Sequence, residues 1–424
     1  MDWLKLLQNP DIATGLDLVL IYWWTYLPVL LLLAFYFTWQ DYIGEEYFNS
    51  LKWTLLHIKP PPDVDRSPKA AEQIFSGLHG VYTVPVSWKD KLFKGKVLDW
   101  FSIEIVGLEG VTNFYIRTLA DYKNLVESNI FAQYPDAEIT EVEDYMQKWP
   151  SKLPNDEYDL FGSEMILSKE DAYPIQSYPF FEEKMAGLEQ VRRLDPLSSI
   201  SEIFSTFRSG ENFVIQILVR PISDDWLKKA QQVLDKALGK EPKVEKSFID
   251  FIFEPVDNLI LGGAPEKEEK KEKKLSAPEE EIVKAIGKKM AKIGFETGIR
   301  VAYIAKKDIF HRYHFPAVMG AFRQLATANL NSFKNNKPTI TFDSGMFAKF
   351  FPSNKGFFVE PRVFKKKVGL FWKLKHRTFT DKQFILNTEE LATVFHLPGI
   401  EVKAPLFPRV EAKKGQPPSG LPLG

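Results

Sequence analysis

The sequence contains no cysteine among its 424 residues. This absence excludes disulfide cross-links, thiol nucleophiles and thiolate zinc sites, and it is compatible with either a reducing or an oxidising compartment. The 55 Lys and Arg residues are balanced by 56 Asp and Glu residues, which leaves a net charge of -1. The whole chain therefore lacks the excess positive charge that attracts nucleic acid or acidic lipid, and any such affinity must be local.

The sequence also lacks the Gly-Lys-Ser/Thr loop that cradles phosphates and binds magnesium in nucleotide-hydrolysing motors. Gly287-Lys288-Lys289 has the glycine and lysine but no hydroxyl residue after them. His311 and His314 are three positions apart, yet a metal site needs three or four ligands and no further ligand stands at a suitable spacing. The sequence therefore predicts no enzyme activity, no metal site and no cofactor.

One catalytic alternative stays open at this point, a pair of carboxylates. Glu141 and Glu143 alternate along an expected strand, so they share one face of it. An exposed sheet face explains the same pattern, and we favour that interpretation.

Residues 18–39 form the longest hydrophobic run, 22 positions without Asp, Glu, Lys, Arg or His. A helix of that length covers the hydrocarbon core of a bilayer, about 30 Å. We therefore expect a single transmembrane helix in an N-terminal segment, 1–44. A cleavable signal peptide and a buried core helix are the alternatives. Lys5 precedes the run and Lys52 and Lys59 follow it, so the Lys/Arg count does not decide the orientation.

The soluble part is expected to have an α+β fold. Residues 45–150 show the order strand, helix, strand, strand, helix, strand, which is typical of a ferredoxin-like (split βαβ) sandwich. Residues 151–350 predict a second α+β unit of the same general kind. A stretch that is nearly all charged, 263–281, is expected to be a solvated loop inserted into this unit.

The last part, 351–424, is expected to contain a basic-aromatic hairpin, a short helix and a Pro-rich tail. Residues 362–379 interleave bases with aromatic rings, the combination with which proteins bind single-stranded nucleic acid. Anionic lipid headgroups fit nearly as well, and an edge hairpin protected by lysines is the structural alternative. The candidate contact residues are Lys365, Lys366, Lys367, Phe371, Trp372, Lys373, Lys375 and Arg377.

Several segments together resemble one family. They include AAEQIFSGLHG at 70–80, NIFAQYPDAEITEVEDY at 129–145 and FILNTEELATVFHLP at 384–398. In this order they are similar to the membrane-proximal region of type IV secretion and conjugative coupling ATPases, in the variant found in candidate-phylum bacteria. The resemblance covers most of 45–420. It implies a membrane anchor and an α+β region that precede a RecA-like motor, which would begin about where this sequence ends.

The resemblance leads to a functional expectation. We expect a membrane-anchored, non-catalytic platform of a DNA- or protein-transfer machine that docks a hexameric ATPase, separate or fused, or the transported substrate. The resemblance also implies cytoplasmic soluble domains in a single-pass protein of the cell membrane. Membrane lipid, DNA and further copies of the chain in a homo-oligomer are the other expected partners. The alternative is a membrane-tethered nucleic-acid-binding protein that acts through 362–379.

Overall fold

A computed structural model describes residues 22–61, 67–82, 86–184, 191–193, 195, 197–239, 276–342 and 359–398. Its helices, in chain order, are α1 (Trp23–Ser50), α2 (Lys69–Leu78), α3 (Trp88–Lys94), α4 (Lys123–Gln133), α5 (Ser198–Ser205), α6 (Trp226–Ala237), α7 (Ala277–Met290), α8 (His314–Arg323), α9 (Val359–His376) and α10 (Thr388–Val394). Its strands are β1 (Trp53–Lys59), β2 (Phe101–Leu108), β3 (Val111–Leu119), β4 (Glu138–Val142), β5 (Tyr158–Leu167), β6 (Glu182–Lys184), β7 (Val191–Arg193), β8 (Glu211–Pro221), β9 (Gly294–Lys306), β10 (Phe333–Asn335) and β11 (Phe384–Asn387). The chain divides into two compact units, one of 1–52 with 83–98 and one of 53–82 with 99–424.

The first unit contains α1 and α3. Helix α1 is long and apolar enough to cross a membrane. This confirms the prediction of an N-terminal apolar helix of spanning length. Pro28 lies inside it, and the helix continues past the apolar run to Ser50. Residues 18–21, where the predicted span begins, lie outside the described residues. Helix α3 packs beside α1, where the Trp39 indole Nε1 donates a hydrogen bond to the Leu92 carbonyl at 3.0 Å.

The second unit is built on one nine-stranded sheet, as far as the described residues show. Its strand order is β10-β5-β9-β8-β2-β3-β1-β4, and β11 pairs with β9. Every neighbouring pair is antiparallel. Strands β6 and β7 form a separate antiparallel pair. The structure therefore confirms a mixed α/β chain with an antiparallel sheet.

Strands from both predicted α+β domains belong to this sheet. The join is the pair β2–β8, in which Ile103 lies opposite Ile217 and Ile105 opposite Ile215. On one side of the join the order is β4-β1-β3-β2, and on the other side it is β10-β5-β9-β8. The two sets follow the same pattern. In the first set, β1 and β4 are the first and last strands along the chain; they are neighbours, and β2 lies at the join. In the second set, β5 and β10 are neighbours, and β8 lies at the join.

Both faces of the sheet are covered. One face carries the larger core, in which Ile103, Ile215 and Ile299 pack against residues of α2, α4, α5, α8 and α10. The opposite face carries a smaller core, in which Val214 and Ala302 pack with Leu374 of α9. Alternation along the strands sends successive side chains to the two faces, so polar residues on the second face are buried as well.

The hairpin predicted within 362–379 is wrong, because α9 occupies most of that stretch. Lys367, Leu370, Phe371 and Leu374 are buried at the spacing i, i+3, i+4 and i+7, which is the period of one helix face. Bases between those positions imitate the alternation of a strand. The sequence analysis therefore mistook the period of a helix for the two-residue period of a strand.

The predicted charged loop ends earlier than 281. Residues 263–275 lie outside the described residues, whereas 277–281 form the first turns of α7. The backbone N–H of Ser276 donates to Glu279 Oε2 at 2.8 Å, and a proline stands in the first turn. These are helix-starting features, and they begin the helix inside the charged stretch. The predicted Pro-rich tail beyond 398 lies outside the described residues.

Candidate functional site

Helix α9 carries the basic and aromatic residues and covers part of the second face of the sheet. Leu370, Phe371 and Leu374 are each at most 4% exposed and share a hydrophobic cluster with Leu160 of β5. One side of α9 is therefore committed to the sheet, and only the other side is available to a partner.

A row of polar side chains crosses the sheet beneath α9. At one level of the register Glu164 of β5 lies opposite Arg300 of β9. Arg300 lies opposite Gln216 of β8, which lies opposite Glu104 of β2. All four residues are at most 1% exposed. Buried ionised groups are strongly unfavourable unless they are paired and hydrogen-bonded, so the partners of each group decide what the row does.

Arg300 connects three strands with the end of α9. Its Nη2 donates to Glu164 Oε1 at 3.0 Å, and its Nη1 donates to Gln216 Oε1 at 2.7 Å. The same nitrogens donate to the carbonyls of Lys373 and Thr378 at 3.1 and 3.0 Å. Burial lowers the pKa of Arg300, and the Glu164 carboxylate opposes that shift. The guanidinium stays charged at neutral pH and satisfies the Lys373 carbonyl, which the end of α9 leaves unpaired, together with the Thr378 carbonyl just beyond it.

Arg377 forms a second buried ion pair directly after α9. Its φ of 51° lies in the left-handed region, where a helix usually ends on glycine. Its Nε donates to Glu104 Oε1 at 3.0 Å, and its Nη2 donates to Asp144 Oδ1 at 2.8 Å. The left-handed conformation costs a residue with a Cβ roughly 1–2 kcal/mol. The two carboxylates therefore hold Arg377 in a backbone conformation that it would otherwise avoid.

Glu104 is the centre of this network. It accepts hydrogen bonds from Tyr145 Oη and Ser102 Oγ, both at 2.5 Å, and from Gln216 Nε2 at 3.1 Å. Burial acts to raise the pKa of Glu104, but the charge and hydrogen bonds of Arg377 outweigh it, and the pKa is lowered. Burial and the Glu104 charge raise the pKa of Tyr145 well above its ordinary value. The centre is thus a carboxylate, a guanidinium and a neutral phenol.

The groups of this network bond to one another and to the backbone at the end of α9. Gln216 Nε2 also donates to the Leu374 carbonyl at 3.2 Å, in addition to the carbonyls that Arg300 satisfies. A general acid or base has to reach a substrate, whereas these side chains face inward and are already engaged. The arrangement fastens α9 to the sheet.

The structure divides the eight predicted contact residues into two groups. Lys365 and Trp372 are exposed, and Lys366 and Lys375 are partly exposed. The other four, which are engaged within the chain, are Lys367, Phe371, Lys373 and Arg377. Half of the predicted surface therefore holds the fold together instead of facing a partner.

Two of the predicted lysines are neutralised by carboxylates of the chain. Lys367 Nζ lies 2.6 Å from Asp159 Oδ1, and its side chain is 9% exposed. Lys373 Nζ lies 2.5 Å from Asp381 Oδ1 and 3.6 Å from Glu164 Oε1. The positive charges of Lys367 and Lys373 are therefore largely neutralised by carboxylates of the same chain.

The outward side of α9 keeps a smaller basic and aromatic surface. The rings of Trp372 and His376 stack with their centroids 4.5 Å apart. Lys365 stands seven positions before Trp372, so the two side chains share one side of the helix. This outward surface, consisting of Lys365, Trp372 and His376, is what the fold leaves of the predicted interface.

A cavity of about 970 Å³ opens beside the N-terminal end of α9. Its described lining includes three acidic residues and three basic ones, Asp156, Asp159, Glu360, Lys307, Arg312 and Lys367. Because the two signs balance, this lining does not favour a polyanion. Lys367 and Asp159 are also already paired with each other.

The alternative acid pair of Glu141 and Glu143 lies on the surface. Glu141 accepts from Lys123 Nζ at 2.6 Å and from Thr54 Oγ1 at 2.7 Å, and Glu143 is exposed. The pKa of Glu141 is lowered by the hydrogen bond from Lys123. A lowered pKa suits an ion pair better than a general acid at neutral pH.

Sequence reasoning missed the polar row. Glu104 lies between Ile103 and Ile105, which face the larger core, so alternation predicts that Glu104 faces the other way. Without a covering helix the other face would be solvated. The available signal was that Glu104 and Arg300 are charged residues inside otherwise apolar strands, which suggests buried partners.

A family model described as "Domain of unknown function (DUF8128)" matches residues 45–407. The match includes the whole sheet, α9 and both buried ion pairs. No curated protein matches the sequence.

Proposed function

The chain belongs to the family of the DUF8128 domain of unknown function, and on that premise we propose that it is a membrane-anchored, non-enzymatic docking platform. The proposed partner is a hexameric motor ATPase, or the substrate that such a motor moves. The proposed site of action is the cytoplasmic side of the cell membrane.

The observation that carries this proposal is the exposed apolar surface of α1. Only 6% of its most apolar 18-residue stretch is buried within the chain, and Leu32 and Phe35 are 67% and 62% exposed. Leaving apolar surface in water costs about 25 cal/mol per Å², so a lipid environment would stabilise a helix of this kind. The fold supplies no such cover from its own described residues.

Charge placement supports the cytoplasmic orientation. Lys89, Lys91, Lys94 and Lys96 are exposed on the segment that packs beside the C-terminal half of α1. The cytoplasmic leaflet carries anionic lipids, and each lysine close to its surface gains about 1 kcal/mol from them. The lysines lie far from α1 in sequence, so a count of its flanking residues misses them. The sheet follows α1 in the chain and would lie on the same side.

The strand order supports the finer proposal of two fused ferredoxin-like units. The orders β4-β1-β3-β2 and β10-β5-β9-β8 are equivalent when the strands of each half are numbered along the chain. Helix α2 connects β1 to β2, and α5 connects β5 to β8. These connections support split βαβ connectivity in each half, with α6 and α7 inserted between β8 and β9.

The buried network beneath α9 supports a non-enzymatic role, because its charged groups pair with one another. The resemblance to coupling ATPases supports a place in a type IV secretion or conjugative machine. A sheet that is covered on both faces would give a ring-shaped motor a stable surface to bind.

The test is made in native membranes. Deleting the gene of this chain should release a ring-forming ATPase from the membrane fraction, and the full chain should restore it. A C-terminal reporter should be active in the cytoplasm. If every ring ATPase keeps its membrane fraction, or if the reporter is external, the platform proposal is wrong. Sequencing the native transcript across the codon for Gly424 separates a fused motor from a separate one.

A second candidate function is single-stranded nucleic-acid binding by the outward surface of α9. The stack of Trp372 on His376 next to Lys365 favours it, because bases stack on exposed rings while lysines meet phosphates. Replacing Lys365 by Gln and Trp372 by Ala together should weaken single-stranded DNA binding and flatten its salt dependence. Lys228→Gln on α6 is the matched surface control. Equal binding by both variants would exclude this function.

A further inference from the structure

Helix α3 contacts α1 at the level where the apolar run ends. The Leu92 carbonyl accepts hydrogen bonds from Trp39 Nε1 at 3.0 Å and from Gln40 Nε2 at 3.4 Å. Trp39 is the last residue of the apolar run, and Asp41 is the first ionisable residue after it. In a membrane this level is the boundary between hydrocarbon and headgroups, where tryptophan is enriched.

The contact between the two helices is tight. Gly95 ends α3 with a φ of 61°, and a Cβ added there would lie 2.4 Å from the Ile43 carbonyl oxygen of α1. Glycine is therefore required both by the backbone conformation and by the close approach. This packing fixes the height of α3 along α1.

The side chains of α3 that face away from α1 are those of an interfacial helix. Trp88 and Phe93 are 67% and 64% exposed. The four lysines at positions 89, 91, 94 and 96 are also exposed, against a single acidic residue, Asp90, within the same segment. Helices that lie in the plane of a membrane surface combine large exposed rings with lysines.

We propose that α3 binds the headgroups of anionic lipids and inserts Trp88 and Phe93 at their boundary with the acyl chains. The lysines at 89, 91 and 96 make the contacts with lipid phosphates, and Lys94 pairs with Asp90 at 2.8 Å. The inference rests on the proposed anchoring by α1, because that helix holds α3 at the bilayer. Its function would be to fix the depth and rotation of the anchor.

A lipid surface fits this segment better than a protein partner for reasons of position. The exposed rings begin beside the membrane helix, so the lipid that surrounds α1 reaches them without any further association. The lysines of α3 complement a leaflet that carries negative headgroups, and the exposed acidic side chains at this level, Asp41, Glu45 and Glu46, belong to α1. Long lysine side chains can keep their ammonium groups at the phosphates while their methylene stems lie over apolar surface.

The test uses the full chain in nanodiscs of phosphatidylcholine, with or without phosphatidylglycerol. Because the chain lacks cysteine, Ser87→Cys gives a single labelling site next to α3. Ser87 is exposed and its side chain makes no capping hydrogen bond, so the change is mild. An environment-sensitive fluorophore on this cysteine reports whether α3 is docked in lipid or lies in water.

We expect a blue-shifted, brighter label only when phosphatidylglycerol is present. Each lysine near an anionic surface contributes a factor of about five in binding. Replacing the lysines at 89, 91 and 96 by glutamine should thus reduce the docked-to-undocked ratio roughly a hundredfold, and high salt should imitate the loss. The same triple change at the exposed lysines 228, 229 and 236 removes equal charge elsewhere and should leave the label docked.

Two results overturn the inference and leave the anchor intact. One is a label that stays in water in both lipids while the chain co-elutes with the nanodisc. The other is a label that docks equally with and without phosphatidylglycerol or the three lysines. A wild-type chain that does not enter nanodiscs at all refutes the anchoring by α1 as well, and this outcome is read from the co-elution.

Discussion

Replacing Arg300 by methionine should destabilise the sheet strongly. The change keeps a long side chain but deprives Glu164, which is 1% exposed, of the Arg300 guanidinium at 3.0 Å, so that its nearest cation is the Lys373 ammonium at 3.6 Å. It also removes the donor to the carbonyls of Lys373 and Thr378. Removing one member of a buried ion pair costs about 3–5 kcal/mol. The free energy of unfolding of the soluble part should fall by an amount near the lower end of that range, because Lys373 still partly compensates the Glu164 charge.

The assay is guanidinium unfolding of the full chain in detergent, followed by circular dichroism. Lys228→Met is the matched control, because Lys228 pairs with Asp225 on the surface with both side chains more than 70% exposed. Its midpoint should not move.

A double variant sharpens the test. Adding Glu164→Gln to Arg300→Met removes the stranded charge and should recover part of the loss, so the two changes should not add. The recovery stays incomplete, because the helix carbonyls still lack a donor. A cost below about 1 kcal/mol for Arg300→Met, or strict additivity, would refute the view that this ion pair fastens α9 to the sheet.

Two further predictions concern positions around the same sheet. Gly162→Ala should cost about 1–3 kcal/mol, because its Cβ would lie 2.5 Å from the Val301 carbonyl oxygen. Gly369→Ala on α9 meets nothing within 4 Å and should be neutral or stabilising, so the reverse ranking in thermal melts would contradict the packing. Burial lowers the pKa of His396, but Asp195 outweighs it and the pKa is raised above 6.5. The stabilisation that protonated His396 adds to the folded state is therefore fully present below pH 6.5, and it is lost as pH rises through the raised pKa. The difference in unfolding free energy between wild type and His396→Gln should shrink as pH rises, and a difference that is constant with pH would disprove this role.

Local sequence patterns were sufficient to predict the apolar helix and much of the α+β alternation. The run at 18–39 has no charged residue to interrupt it, and strands such as β2 and β3 show period-two alternation around a tight turn. The pairing of β2 with β8 depends on residues more than a hundred positions apart. Nothing local in either strand specifies which edge it will meet.

The candidate site was harder to predict for a related reason. The role of Arg377 depends on Glu104 and Asp144, two residues from other elements, and its exposure can only be judged once α9 is placed. The same holds for α3, because the function of its aromatic and basic side chains can only be inferred once α3 is known to lie beside α1. Composition identified 362–379 as basic and aromatic, but not which half of it faces inward.

The join between β2 and β8 has a consequence for how the chain folds during synthesis. Strands β1 to β4 can pair among themselves as soon as they leave the ribosome. The other edge of β2, where Ile105 lies opposite Ile215, stays unpaired until β8 has been synthesised. Until β8 arrives, β2 has an unpaired edge, and such edges recruit strands from other molecules. A nascent chain stalled within this interval is therefore prone to aggregate, and chaperone binding would protect it at that stage. Strand β5 waits still longer, since Phe161 pairs with Tyr303. The second half of the sheet would therefore be completed last, on the edge of a first half that has already folded.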